Sequence, residues 1–185
     1  MRSSVLVLLF ASLTMLTAAP ASADSTGDMV AMMQSFGAVH SYHADITTSR
    51  GTMSMDVVQP DKMHMKMGGR MEMIRIGDDM WVNTRGQWQH VPMMAGAMMQ
   101  RPMDMARGAG MQGSSPSDYQ ITDLGAAMLD GIPTHKYHMT GKTGDTVDMW
   151  VSKNLPVQVQ ATGKDGTATI KYSQYNTVPD ITPPV

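Results

Sequence analysis

Apolar and polar residues change their spacing once near the start of this chain, and the change divides it into one helix and a long series of strands. Over residues 26–38, Met29, Met32, Met33 and Phe36 fall at i, i+3, i+4 and i+7, a single face of a helix, with Gly37 weakening its end. From Ser41 the period drops to two. Residues 41–48, 51–58 and 62–67 read as successive antiparallel strands, joined by turns at Ser49-Arg50-Gly51 and Pro60-Asp61. In the second strand Met53, Met55 and Val57 share one face and Thr52, Ser54 and Asp56 the other. In the third, Met63, Met65 and Met67 alternate with Lys62, His64 and Lys66. Such alternation belongs to a sheet with one wet and one apolar face.

Further strands are expected over 71–76, 79–83 and 87–91. In 71–76 both faces carry apolar residues, Met71 and Met73 on one and Ile74 and Ile76 on the other, so both are expected to be covered. Residues 92–117 break the pattern with Pro92, Pro102, Pro116, several glycines and a run of methionines. Short broken helices or a mobile loop are expected there. Strands resume over 119–124, 134–140, 146–152, 156–162 and 168–174, and residues 178–185 form an extended, proline-rich tail. The whole reads as one helix and about eleven strands around a helical insertion. A sheet that long should curl rather than stay flat.

Composition adds two facts. The first 23 residues have the form of a cleavable export signal: Arg2, an apolar run from Val5 to Leu16, and the small-x-small site Ala21-Ser22-Ala23. The run is too short for a membrane span of about 20 residues. Residues 24–185 are then expected to form a single domain, unanchored and periplasmic. The chain has no cysteine, so it can carry neither a lipobox diacylglycerol nor a disulfide. With Arg2 removed, the mature charge is one unit more negative than the −2 of the whole chain, which gives no footprint for nucleic acid. The second fact is methionine. There are 23, and only Met1 and Met15 lie in the export segment. The mature part has only Leu124, Leu129 and Leu155 as leucines and Phe36 as its phenylalanine, so methionine does their work. Being unbranched and polarizable, it suits a loosely specified apolar cavity.

Several stretches resemble the periplasmic lipoprotein carriers, LolA with its LolB-like and LprG/LppX-like relatives. The likeness spans most of the mature chain. It is carried by the N-terminal helix running into Phe36 and Ser41-Tyr42, Gln59-Pro60-Asp61-Lys62, and the hairpin Ile76-Gly77-Asp78-Asp79-Met80-Trp81-Val82. In the second half it is carried by Leu129-Asp130-Gly131-Ile132-Pro133 before Tyr137, Met149-Trp150-Val151, and Asn154-Leu155-Pro156-Val157. The resemblance implies an α+β fold: an incomplete antiparallel β-barrel with an N-terminal helix and a helical lid, whose apolar face shelters acyl chains. The residues expected to line it are Phe36, Met53, Met55, Val57, Met63, Met65 and Met67, with Met94 and Met98 from the lid. Partners would be a lipid or an acylated protein, with transient membrane contact, and the protein would be a monomer without a cofactor. The family's lid-latching arginine has its nearest counterparts in Arg50 and Arg70. Methionine in place of leucine, isoleucine, valine and aromatics is a departure from the family's lining.

The rival reading is copper or silver binding, because thioether and imidazole suit Cu(I). Its candidates are Met98, Met99, Met103 and Met105 in the irregular insertion, together with His64 of Met63-His64-Met65. On a strand, i and i+2 lie about 6.6–7 Å apart on one face, and His64 would point away from both methionines. The pairs His40/His43 and His135/His138 also fall in strands, where i and i+3 face opposite ways, so they read as surface histidines. No cysteine nucleophile, G-x-S-x-G elbow, H-E-x-x-H helix or phosphate-cradling loop is present, which argues for a binding protein and against an enzyme. Methionines of the insertion could also absorb oxidant.

Overall fold

The computed structural model describes residues 25–69, 71–91, 119–164 and 166–184. Among the described residues one helix, α1 (Ser25–Gly37), precedes eleven strands: β1 (Ser41–Thr48), β2 (Gly51–Val58), β3 (Lys62–Met67), β4 (Met71–Ile76), β5 (Asp79–Thr84), β6 (Gln87–Val91), β7 (Tyr119–Leu129), β8 (Ile132–Gly141), β9 (Thr146–Ser152), β10 (Leu155–Gly163) and β11 (Gly166–Ser173). All pair antiparallel in one sheet of order β6-β5-β4-β3-β2-β1-β11-β10-β9-β8-β7. The chain therefore enters in the middle and meanders to one edge at Val91. It resumes at the opposite edge at Tyr119 and meanders back until β11 lies against β1. The two edge strands do not pair with each other, so the sheet is an open, incomplete barrel. The expected helical lid falls in residues 92–117, outside the described residues. The 1–23 export segment also lies outside them.

Asp28 in the first turn of α1 complements the positive end of the helix dipole. Beyond Gly37 the helix unwinds through Val39 N–H to Phe36 C=O at 3.2 Å. Met29 and Met32 are buried, whereas Met33, read from its spacing as part of the same face, is 37% exposed. The buried stripe is narrower than the pattern implied: Met29 and Met32 face one half of the sheet, and Phe36 reaches across to the other. Met29 and Met32 pack with Tyr137, Met139, Val147, Met149, Val151 and Val159. A second cluster gathers Val39, Tyr42, Ala44, Ile46, Met55, Val57, Met63, Met65, Met73, Met80 and Ile170. Phe36 touches both, its ring 5.1 Å from that of Tyr42 and 5.6 Å from that of Tyr172.

Both clusters lie on one face, called inner below. Directly opposed residues of antiparallel strands share a face. One rung accordingly crosses every strand but β6: Thr84, Met71, Met67, Met53, Ile46, Ile170, Val159, Met149, Tyr137, Asp123. A second runs Val82, Met73, Met65, Met55, Ala44, Tyr172. As expected for β4, both its faces are covered, with Met73 and Ile74 buried on opposite sides. β7 is longer than the alternation alone suggests. Its pairing with β8 shifts between Asp123 and Gly125, and this bulge lets the strand continue to Leu129.

Candidate functional site

Residues of the expected lining that fall in the described part converge. β2 and β3 bring Met53, Met55, Val57, Met63, Met65 and Met67 side by side on the inner face. Met65 is 0% exposed and Met55 1%, whereas Met53 and Met67 are half-buried at the border of the cluster. Phe36 meets the same face from the helix side. Met94 and Met98, as well as Met99, Met103 and Met105, lie outside the described residues. The structure adds Met73 and Met80, which the sequence reading left out. Met73 was hidden by the double-sided pattern of β4. Met80 is its strand's only methionine and so made no repeat of its own.

Polar groups interrupt the inner face at two places. On β4, Arg75 stands opposite Met63 and Met80, both buried. Its Nε donates to the Gly77 carbonyl at 3.0 Å. In the far half, Tyr137 donates its hydroxyl to Asp28 Oδ2 of α1 at 3.2 Å, and His135 is hydrogen-bonded to Asp123. Burial, with the Asp28 charge beside it, pushes the Tyr137 hydroxyl up to about 12. Burial alone would raise the Asp123 pKa. The Gly125 N–H at 2.6 Å and the His135 contact outweigh it, and the carboxyl is held below its usual range.

The outer face carries His43, His64 and His138, whereas His135 stands on the inner face opposite Val151. His43 Nδ1 lies 2.6 Å from Asp56 Oδ1, and its Nε2 3.2 Å from Asp45 Oδ1. His64 Nε2 lies 2.7 Å from Glu72 Oε1, with Lys66 Nζ 3.6 Å from the same oxygen. Four neighbouring strands are thus laced by alternating acids and histidines. Carboxylates only accept hydrogen bonds, so an imidazole bonded to one at each nitrogen must carry both protons. Burial would lower the His43 pKa, but these two carboxylates outweigh it and the net shift is upward. These are surface histidines, as expected, yet they are tied rather than free. A similar group forms on β8 and β9, where His138 and Lys136 both meet Asp148, at 2.5 and 3.0 Å, and Lys136 lies over the Trp150 ring. There burial would raise the Asp148 pKa, and its hydrogen bonds with His138 and Lys136 bring it down instead.

His64 therefore faces away from Met63 and Met65, and the Met-His-Met motif does not converge. No group of three or more histidine or acidic side chains among the described residues could hold a metal. Arg50 sits in the exposed β1–β2 turn, and Arg70 lies outside the described residues. A cleft of about 660 Å³ opens at the β3–β4 and β5–β6 turns, lined by Lys66, Gly69, Glu72, Asn83, Arg85 and the rung ends Met71 and Thr84. Of the methionine rungs only that end reaches it. No described helix is long and apolar enough to cross a membrane.

No family model matches the sequence, and no curated protein is significantly similar to it. Solved structures do share its fold. The lipoprotein LppX of Mycobacterium tuberculosis superimposes with a TM-score of 0.65 at 12% identity, over 88% of this chain and 100% of LppX. LprF of Mycobacterium bovis does so with a TM-score of 0.63 at 18% identity, over 86% of this chain and 96% of LprF. The resemblance to LprG/LppX-like proteins read from the sequence is thus shown at the level of the fold.

Proposed function

We propose that the chain is an exported carrier that shelters a lipid, a lipoprotein acyl chain or another apolar ligand against its methionine-lined inner face. The observation that carries this reading is the pair of methionine rungs across β2, β3 and β4 in a sheet that does not close. Met53 and Met67 are only half-buried there. An acyl chain moved from water onto such a face gains about 0.8 kcal/mol per buried methylene. Flexible thioethers repack around chains of different shape. The fold shared with LppX and LprF supports the same role. The export signal at 1–23 and the absence of cysteine fit a free-moving periplasmic monomer that touches membranes transiently to load and unload. The role is binding and transfer, without bond chemistry.

Native mass spectrometry of the mature protein purified from the periplasm tests this. Co-purified lipid, lost on delipidation and regained from vesicles, is the expected result. Copper bound at whole-number stoichiometry, with no lipid, would overturn it in favour of the metal reading through Met98, Met99, Met103 and Met105.

A further inference from the structure

The described strands contain five lysines and arginines: Lys62, Lys66, Arg75, Lys136 and Lys171. Four are paired with a carboxylate. Lys62 meets Asp180 at 2.6 Å, Lys66 meets Glu72 at 3.6 Å, Lys136 meets Asp148 at 3.0 Å and Lys171 meets Asp130 at 2.7 Å. Arg75 is the exception twice over. It stands on the inner face, in the rung Tyr42, Val57, Met63, Arg75, Met80, Val91, where every other member is aromatic or aliphatic. No carboxylate among the described residues pairs with it, and its hydrogen bond there is the one from Nε to Gly77 C=O.

A half-buried guanidinium between buried thioethers is poorly solvated, so an anion that reaches it gains more than it would at a wet surface. The bond to Gly77 fixes the side chain through Nε and leaves the terminal amino groups for another acceptor. Their planar fork suits the two oxygens of a phosphate or carboxylate. Arg75 also sits one residue from the end of β4, beside the β4–β5 turn, with the Met65–Met73 rung deeper along the same strands. A cation at the rim and apolar surface behind it match an amphiphile end to end.

We propose that Arg75 is the headgroup site of the carrier. Its ligand is an anionic lipid whose oxyanion is held by the guanidinium while the chain lies along the methionine face. This rests on the carrier reading above.

The test is titration calorimetry of the delipidated mature protein with dioctanoyl phosphatidylglycerol, with dioctanoylglycerol, which has the same chains and no phosphate, and with inorganic phosphate. The phospholipid is expected to bind roughly 10- to 100-fold tighter than the diacylglycerol, the range for hydrogen bonds to a charged group. R75Q should reduce that preference to below about threefold and leave diacylglycerol affinity unchanged, and R75K should keep part of it. Equal affinity for the two lipids, or a preference that survives in R75Q, overturns the headgroup assignment and leaves the carrier intact. Inorganic phosphate binding as tightly as the phospholipid would make this a free-phosphate site and also overturn it. Failure of both lipids to bind would overturn the carrier reading itself. If R75Q does not fold, the comparison with R75K decides in its place.

Discussion

His43 is held by Asp56 and Asp45 through both ring nitrogens, and that arrangement exists only while the ring is charged. Its pKa is raised in the folded protein, so it binds a proton more tightly there than in the unfolded chain. The resulting stability is fully present below the ordinary histidine value of 6.5 and fades as pH rises through the higher folded value. H43Q is therefore expected to cost about 1 kcal/mol at pH 5.5 and only a few tenths at pH 8.5, read from urea unfolding at each pH. An equal loss at both would mean that packing, not charge, is what His43 contributes. This contact was legible in principle. The two-residue turn Ser49-Arg50 places Thr48 opposite Gly51, and counting back sets His43 against Asp56. The same arithmetic across Gly77-Asp78 sets Arg75 against Met80. Alternation shows which face a residue takes, and only the turn register shows what it meets. The histidines read as plain surface residues because they were judged by spacing within one strand.

Elements were largely legible, and their misreadings share a cause. Strands with strict alternation, β1 to β3, have the limits the pattern implies. For β7 the alternation alone implies an end at Leu124. Instead Gly125 takes φ 79° in a bulge, its N–H bound by Asp123, and the strand runs on to Leu129. A methyl group there would meet nothing within 4 Å, so any cost of G125A lies in the backbone alone. The expected loss is about 1–2 kcal/mol for a left-handed alanine, measured by urea unfolding. An unchanged midpoint would show that β7 can lose its bulge without harm. In α1, four apolar positions at helical spacing implied a broad buried face. Met29 and Met32 pack on β8–β10 while Phe36 reaches Tyr42 of β1, and nothing local could tell which strands each residue would meet.

At the scale of the molecule, the feature hardest to foresee was the pairing of β1 with β11, the first strand with the last. Only that pairing joins the two meanders into one inner face, carrying the rung from Met53 through Ile46 and Ile170 to Met149. What composition did announce was that this face would be methionine. If methionine is there for its plasticity, replacing it with leucine should keep the fold and change the ligand range. Leucine and methionine exchange at under about 1.5 kcal/mol per position. A variant with M53L, M55L, M63L, M65L and M67L should therefore still fold cooperatively. The native protein is expected to bind phospholipids with chains of about 8 to about 18 carbons within roughly tenfold of one another, because thioethers adapt. The leucine variant should favour a narrower band, since branched side chains fix the shape of the surface. Competition binding across the chain-length series reads both profiles. If they coincide, plasticity does not explain the methionines, and their reversible oxidation becomes the property to examine.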